Sequence, residues 1–259
     1  MKTIVFTPIG SLISNDKDKA DLPRQPIFSN SKAVIRLNKG CNFEEGLKDL
    51  EGFERLWVIF HFDKNSSWKP LVDPPINCDG KKKGVFSTRS PYRPNGIGIS
   101  VVNILKIDGL DIHIEKSDMI DGTPILDIKP YIPRSDSFPQ SRFGWVESAE
   151  SNKFTIKFTG DVESKIAFLE KRGIFLKNRI FTQLEYDPFN SKKKRVERSG
   201  SQYILKIGTW RVCFGNIEKE IFISDIGSGY TKSEICDDSD KYGDKDIHKD
   251  FLDSFLISN

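Results

Sequence analysis

Two alternating runs joined by an Asp-Gly turn restrict this chain to a fold with antiparallel β-structure. Residues 110–115 alternate between apolar and polar side chains, as a half-buried strand does. Residues 98–107 form another β-type run, and Asp108-Gly109 stands between the two. An Asp-Gly pair in this position is the strongest short-range signal for a hairpin. We therefore predict a hairpin here, within a β-rich first half.

The rest of the first half alternates between short apolar runs and long loops. Strands are predicted at residues 4–9, 33–37 and 55–62, and one short helix at residues 44–50. The connecting loops are rich in Pro and Gly and span residues 63–84, 88–96 and 130–144. Loops of this length in a compact domain are usually functional.

The composition changes after residue 148. We predict helices at residues 161–172, with Asp161 as N-cap, and 176–186. Strands are predicted at residues 153–158, 203–207, 210–214 and 220–224. The resulting division is a first domain over residues 1–148, an α+β domain over residues 149–233 and a loosely ordered acidic tail over residues 234–259. A short docking helix around Phe251 and Phe255 is the alternative for this tail.

Composition excludes several classes of protein. With 37% hydrophobic and 30% charged residues, this is an ordinary globular composition. The longest apolar run, residues 56–60, is far too short to span a membrane, and no signal-peptide cleavage site follows the N-terminus. The four scattered cysteines indicate a reducing, cytoplasmic setting. The tail carries eight acids and three bases, so the remaining chain has a charge of +8 and could accept an anionic partner.

Familiar catalytic motifs are missing from the sequence. It has no dinucleotide-binding or P-loop glycine pattern, which argues against a Rossmann fold. The three histidines are far apart, so a zinc site or a serine–histidine triad is not expected, and we predict no metal.

Three segments are unusually rich in polar and turn-forming residues. They are residues 23–26 (Pro-Arg-Gln-Pro), residues 86–100, which include two arginines, and residues 118–133, which include an Asp-Gly turn. Guanidinium groups bind carboxylates, phosphates and base edges in bidentate fashion, and a glutamine amide can read an adenine edge. Each segment could also be an ordinary surface loop, a charged hairpin tip or a structural turn.

The order of these segments resembles the TsaA-like, or TrmO, family of tRNA methyltransferases. The shared motifs are Pro-Arg-Gln, Leu-Trp-Val-Ile-Phe-His-Phe, Thr-Arg-Ser-Pro-Tyr-Arg-Pro-Asn-Gly-Ile-Gly-Ile-Ser and Asp-Gly-Thr-Pro-Ile-Leu-Asp-Ile-Lys-Pro-Tyr, and they span residues 1 to about 148. The resemblance implies a mainly β protein with a β-barrel-like N-terminal domain and a smaller α+β C-terminal domain. It also implies a homodimer that uses S-adenosylmethionine to N6-methylate N6-threonylcarbamoyladenosine at position 37 of tRNA.

The same resemblance implies a cofactor site, assembled from five short stretches. Its expected members are Pro23, Arg24, Gln25, His61, Phe62, Arg89, Ile99, Ser100, Asp121, Gly122 and Thr123. Asp121 is our candidate for offsetting the sulfonium charge, with the aromatic face of Phe62 or Tyr131 as a possible aid. No general base can be named.

Contacts with tRNA are expected from basic and aromatic residues, since basic groups bind phosphates and aromatic rings stack on splayed bases. Family members often carry Asp-Pro-Arg-Pro in the C-terminal domain, whereas this chain has Asp187-Pro188-Phe189-Asn190. Asn190 and the basic residues 192–195 could replace part of the missing contact, and residues 81–83 could bind phosphates; a solvated face is the alternative for both runs. A competing class is a non-catalytic module that binds RNA or an adenine nucleotide. The predicted substrate contacts are Arg93, Lys129, Tyr131, Asp187, Lys193 and Arg195.

Overall fold

A computed structural model describes residues 3–14, 32–77, 79–190, 194–237 and 239–255 of the chain. The chain divides into two compact units. The first comprises Met1–Pro74 and Asp79–Arg142, and the second comprises Pro75–Cys78 and Phe143–Asn259. The domain boundaries proposed at residues 148 and 233 stay predictions.

The first unit is built on a closed six-stranded barrel, which confirms the predicted β-barrel fold. Its strands are antiparallel and follow the order β1-β2-β7-β6-β3-β8 around the barrel. The short strands β4 and β5 pair separately. The elements of this unit are β1 (Gly10–Ser14), β2 (Lys32–Leu37), α1 (Phe43–Gly46), β3 (Arg55–His61), β4 (Leu71–Val72), β5 (Lys83–Gly84), β6 (Ile97–Asp108), β7 (Asp111–Glu115), β8 (Pro124–Pro130) and α2 (Pro133–Asp136).

Alternating apolar residues fill the barrel interior. Leu56 and Val58 of β3 and Ile112 and Ile114 of β7 are completely buried, while the residues between them are at least partly exposed. The predicted hairpin is present, because β6 and β7 pair on either side of Gly109, which has φ of 58°. A closed barrel leaves its six strands without a free edge, so their backbone groups pair within the unit.

Two predictions for the first unit were wrong in detail. Residues 4–9 do not form a strand, since pairing begins only at Gly10, after Pro8, which has no backbone N–H to contribute. The predicted helix at residues 44–50 is split into α1 and a separate 3₁₀ turn at Leu50–Gly52. Asp49 adopts φ of 65° between them, a left-handed conformation that an α-helix does not continue through.

The second unit combines one sheet with helices, as the α+β prediction required. Its five strands follow the order β10-β11-β12-β13-β9, and all neighbours are antiparallel except β13 and β9, which are parallel. The buried residues of α4 and α5 recur every three or four positions and form one core with the sheet. The elements are α3 (Trp145–Ser151), β9 (Thr155–Phe158), α4 (Val162–Glu170), α5 (Leu176–Leu184), β10 (Val196–Ser199), β11 (Gln202–Ile207), β12 (Trp210–Ile217), β13 (Glu220–Ser228), α6 (Lys232–Cys236) and α7 (Lys245–Phe255).

The acidic end of the chain contains the two helices α6 and α7. Of the two alternatives for this tail, the structure has the helix: α7 packs into the core through Phe251, which is 2% exposed. Asp161 occupies the N-cap position of α4, as predicted, but its side chain makes no capping hydrogen bond. Its carboxylate instead lies 2.9 Å from Lys165 Nζ, which also binds Asp225 at 2.6 Å.

Candidate active site

The loop between β5 and β6 is braced from within by side-chain hydrogen bonds. Thr88 Oγ1 donates to the carbonyl of Val85 at 2.9 Å and accepts the N–H of Ser90 at 3.2 Å. The Arg93 guanidinium donates to the carbonyls of Val85 and Thr88, at 3.2 and 2.9 Å. The guanidinium of Arg93 therefore shapes the loop that carries Arg89. Its predicted contact with substrate stays a prediction.

Arg89 is left available for a ligand. Its side chain is exposed, and it donates no hydrogen bond to any residue that the structure describes. A guanidinium group with free N–H donors matches the two oxygens of a carboxylate or phosphate. The charge of Arg89 also acts on the carboxylate of Asp118, which lies in a different loop.

Ser100 connects β6 to that carboxylate. Its side chain is 5% exposed, and its hydroxyl donates to Asp118 Oδ1 at 2.6 Å. Burial raises the pKa of Asp118, although the Ser100 hydrogen bond and the charge of Arg89 both oppose the rise. Sequence reasoning missed a role for Asp118, since only tertiary burial separates it from the chain's many surface acids.

The Asp121-Gly122-Thr123 turn holds the end of β1. Asp121 Oδ1 accepts the N–H of Ser14 at 2.9 Å, and the N–H of Gly122 donates to Leu12 at 2.9 Å. Gly122 has φ of 77°, which favours glycine at this position. Because residue 14 leads into the segment that contains residues 23–25, the turn fixes one end of that segment. Pro23, Arg24 and Gln25 lie outside the described residues.

His61 and Phe62 close the end of β3 against the residue before β6. The N–H of Phe62 donates to the carbonyl of Gly96 at 2.7 Å, and the Phe62 ring meets Phe60 edge-on at 5.1 Å. A Cβ atom at Gly96 would lie 3.1 Å from His61 Nε2, so the backbone at Gly96 passes close to the side chain of His61. Ile99 is 54% exposed and lies on the opposite face of β6 from Ser100.

The structure thus joins Ser100 to Asp118, and the turn at residues 121–123 to the end of β1. It pairs the end of β3 with the start of β6, two residues before Ile99. Convergence of all these residues on one cofactor stays a prediction.

Lys129 and Tyr131 lie at the end of β8. Lys129 Nζ is 2.9 Å from Asp127 Oδ2 on the protein surface. The Tyr131 ring packs against Trp57 with centroids 5.7 Å apart, and Trp57 Nε1 donates to Asp136 at 2.9 Å. The aromatic pair is therefore held firmly beside a basic side chain.

Only some of the residues predicted to bind RNA in the second unit are exposed and free of hydrogen bonds within the protein. Asp187 Oδ2 accepts the amide of Asn190 at 2.7 Å, so Asn190 is already occupied within its own turn. Lys194 is only 6% exposed, and its Nζ donates to the carbonyl of Tyr186. The alternative of a fully solvated basic face over residues 192–195 is therefore wrong for Lys194. Arg195 is exposed, whereas Lys193 lies outside the described residues.

Basic residues 81–83 are also partly engaged. Lys83 Nζ lies 2.6 Å from Asp79 Oδ2, and the backbone N–H of Lys81 donates to Asp79 Oδ1. The hydrogen bond from Lys83 lowers the pKa of Asp79. Phosphate binding here would have to compete with this internal ion pair.

The described residues of the candidate site include groups that suit S-adenosylmethionine. Arg89 can bind the carboxylate of its methionine part, and the acidic Asp118 and Asp121 can face its positive charges. Within the described part of the chain, no cluster of His, Cys, Asp and Glu could hold a metal ion. Nor does any helix there have the length and hydropathy for crossing a bilayer.

The chain is similar to known proteins over both of its units. Residues 12–137 match the model of the tRNA-methyltransferase O N-terminal domain. The tRNA (adenine(37)-N6)-methyltransferase of Escherichia coli is 33% identical over 229 residues, which cover 84% of this chain and 97% of that protein. A Pyrococcus abyssi protein named "Probable S-adenosyl-L-methionine-binding protein" is 40% identical over 56% of this chain and 77% of its own. The crystal structure of TrmO from Pseudomonas aeruginosa has a TM-score of 0.56 and 25% identity, and the match covers 88% of this chain and 99% of that one.

Proposed function

We propose, on the premise that this chain belongs to the tRNA-methyltransferase O family, that it transfers a methyl group from S-adenosylmethionine to N6 of adenosine 37 in tRNA. The observation that carries the proposal is the similarity to the Escherichia coli enzyme over almost the whole of both chains. The exposed guanidinium of Arg89, in a loop of the closed barrel unit, supplies a group of matching chemistry.

The finer substrate that we propose is N6-threonylcarbamoyladenosine, next to the anticodon. We further propose that the enzyme acts as a homodimer in the cytoplasm. The positive charge of +8 on residues 1–233 favours an RNA partner, because basic groups release counterions from the phosphate backbone.

When bound, S-adenosylmethionine supplies an electrophilic methyl group that needs no metal. The task of the protein is then to align the acceptor nitrogen with that methyl, which is a problem of positioning. Arg89 binds the anionic end of the cofactor, and the braced loop around Thr88 and Arg93 keeps Arg89 in place. Asp121 anchors the end of β1 at Ser14, and Arg24 and Gln25 contact the cofactor in this proposal.

The acceptor RNA is held by a separate set of residues in this proposal. Tyr131, rigidly packed on Trp57, offers an aromatic surface for stacking, and the nearby Lys129 offers a positive charge. In the second unit, Arg195 and Lys193 contact the phosphates. Binding of tRNA should therefore weaken as salt rises.

The deciding experiment uses purified protein, S-adenosylmethionine and two tRNA preparations. One tRNA carries N6-threonylcarbamoyladenosine at position 37 and the other carries plain adenosine; nucleosides are then analysed by mass spectrometry. We expect methylation of the modified tRNA only. Transfer to the plain tRNA alone would overturn the finer substrate, and no transfer to either, with normal cofactor binding, would favour a non-catalytic binding module.

A further inference from the structure

The sheet of the second unit has two different faces. Lys206 lies between two buried residues of β11, and Arg211 lies between two buried residues of β12. Those four buried residues belong to the core that the sheet forms with α4, α5 and α7. Neighbouring residues on a strand point to opposite faces. Lys206 and Arg211, both partly exposed, therefore lie on the face that points away from the helices, which we call the open face.

Three basic residues form a row across this open face. Lys206 is directly opposite Arg211 in the antiparallel pairing of β11 and β12. On the other side, the N–H of Lys206 donates to the carbonyl of Arg195 at 2.8 Å, in continuation of the β10–β11 register. Arg195 is exposed and immediately precedes Val196, which is a core residue. Because adjacent strands are ~4.8 Å apart, the row is ~10 Å long.

Like charges in this arrangement cost stability. Equal charges directly opposite each other on a sheet repel and destabilise the pairing. Among the described residues, Lys206 has the acidic partner Glu197, which leaves the row with an excess of positive charge. Arg195 makes no side-chain hydrogen bond within the described ranges. A bound polyanion would offset the repulsion along the row.

Arg211 is held in place by the backbone around it. Its Nη1 donates to the carbonyls of Gly208 at 3.3 Å and Trp210 at 3.0 Å. The guanidinium also lies against Gly229, where an added Cβ atom would be 2.5 Å from Arg211 Cζ. Gly227 of β13, directly opposite Arg211, has no side chain, and a Cβ atom there would meet nothing within 4 Å. The guanidinium therefore stands beside an open space on the sheet, with donors to spare.

We infer that Arg195, Lys206 and Arg211 form a phosphate-binding row for the tRNA substrate, an inference that rests on the proposed function. It adds Lys206 and Arg211 to the RNA contact proposed for residues 193 and 195. Guanidinium groups bind phosphate oxygens in bidentate fashion. Successive phosphates on one duplex strand advance by ~3.4 Å along the axis, so a row of ~10 Å can contact more than one of them. Such contacts position the RNA and do not read its sequence.

Charge-removing variants of the full chain test the row. The probe is tRNA that carries N6-threonylcarbamoyladenosine, and its affinity is measured by fluorescence anisotropy over a series of salt concentrations. Lys206→Gln and Arg211→Gln should each lower the slope of log affinity against log salt by about 0.7–0.9. If the affinities converge near ~1 M salt, this equals a roughly five- to eightfold loss at ~0.1 M. The KM for tRNA should rise by the same factor, with kcat unchanged.

A change in the opposite direction is expected for the acid of this face. Glu197→Gln should strengthen tRNA binding, because it removes the partner that competes for Lys206 and repels phosphate. Gly227→Glu should weaken tRNA binding at least as much as Arg211→Gln. The open space at Gly227 lets the fold accept this side chain, and its carboxylate then faces Arg211.

Lys171→Gln is the matched control for lost charge. Lys171 is exposed at the end of α4, on the helical side of the sheet, and its variant should keep the wild-type affinity and salt slope. Melting temperatures of all variants should stay near the wild-type value, since the substituted side chains are outside the core. Binding of S-adenosylmethionine in calorimetry should also be unchanged.

The outcomes separate this inference from the proposed function. Wild-type protein that neither binds nor methylates the tRNA overturns the proposed function. Wild-type methylation, with unchanged tRNA affinity and salt slope in Lys206→Gln and Arg211→Gln, overturns only the row. An equal loss in Lys171→Gln also overturns the row, because the loss then reports total charge. A changed oligomeric state in Arg211→Gln, with tRNA binding unaltered, overturns it too and assigns the open face to a second copy of the chain.

Discussion

The imidazole of His248 lies flat on the indole of Trp210, with ring centroids 3.8 Å apart and an angle of 14° between the planes. Its Nδ1 is 2.8 Å from Ser228 Oγ, and its Nε2 is 3.0 Å from Thr209 Oγ1. The Thr209 hydroxyl donates its hydrogen bond to Asp244 at 2.6 Å. Its oxygen therefore accepts a hydrogen bond from Nε2–H of His248. The neutral ring therefore satisfies both nitrogens and joins α7 to the β12–β13 hairpin.

The protonation of His248 should make this unit less stable in acid. Burial lowers the pKa of His248 below its usual value. The unfolded chain, with a histidine pKa of about 6.5, then binds a proton more readily than the folded one. Stability is fully present above about pH 6.5 and declines as pH falls below it, towards the lower pKa of the folded state. Melting temperatures recorded between pH 5 and 8 will show the decline.

A pair of glutamine variants isolates the effect of this one ring. His248→Gln should lower the melting temperature at pH 8 but flatten its dependence on pH, since the titrating group is gone. His113→Gln, at a half-exposed position on β7, should keep the wild-type pH profile. An unchanged slope in His248→Gln would show that other groups cause the acid sensitivity.

Arg89→Ala should abolish cofactor binding measured by calorimetry. Arg89 is the exposed cation of the braced loop, and its loss removes the guanidinium that we propose as the bidentate partner of the cofactor carboxylate. The melting temperature should hardly change, because Arg89 makes no hydrogen bond with any described residue. Normal cofactor binding by Arg89→Ala would make our assignment of the site wrong.

Lys193→Ala should give the opposite pattern. We expect unchanged binding of S-adenosylmethionine but weaker binding of tRNA, with a shallower dependence on salt, since one phosphate contact is removed. Arg195→Ala should behave in the same way, because Arg195 is exposed. If both variants bind tRNA as tightly as the wild type, the second unit does not contact the RNA through this stretch.

Gly98→Ala should destabilise the barrel. A Cβ atom at Gly98 would lie 2.3 Å from the ring of Phe60, which is paired with it across β3 and β6 and is only 5% exposed. Overpacking of this kind typically costs about 1–3 kcal/mol. Gly46→Ala, where an added Cβ meets nothing within 4 Å, is the matched control in urea unfolding. Equal stability of the two variants would show that the Phe60 ring moves aside freely.

Phe189→Arg, which restores the arginine of the family motif, should destabilise the second unit and not improve its function. The partly buried Phe189 ring packs against Tyr203 at 4.8 Å and Phe154 at 5.9 Å, beside the core of this unit. The substitution removes these apolar contacts and brings an unpaired charge against the core, and both changes lower the free energy of unfolding. Phe175→Arg, at a position 45% exposed, should be tolerated in the same urea titration. Wild-type stability of Phe189→Arg would refute this packing role.

Local patterns predicted the elements well where burial repeats along the chain. The β6–β7 hairpin follows from alternation and Asp108-Gly109, and four of the five strands of the second unit were predicted from their apolar runs, whereas β10 (Val196–Ser199) was missed. The errors occurred where a long-range contact decides whether a segment pairs as a strand. Residues 4–9 have a β-type composition, but strand pairing starts at Gly10, where the chain passes so close to Arg36 that a Cβ would lie 2.2 Å from its carbonyl oxygen.

The sequence also indicated the residue types of the proposed site, but it did not indicate which groups those side chains bond to. Arg93 looked equivalent to Arg89 in sequence, yet its guanidinium binds carbonyls of its own loop. Asn190 and Lys194 looked available for RNA, yet each is bonded within its own unit. Such differences arise from a few ångströms of tertiary packing, which single-sequence patterns do not encode.

The sequence by itself determined the class of fold and the residue types of the proposed site, because strand alternation, turn residues and four ordered motifs are local properties of the chain. The tertiary structure alone decided what surrounds each carboxylate. Asp118 and Asp121 are three residues apart and carry the same carboxylate, but one faces Ser100 and the other the backbone of Ser14. Their surroundings differ because barrel closure brings distant strands to them, and the solvation and charge around each carboxylate follow from those neighbours.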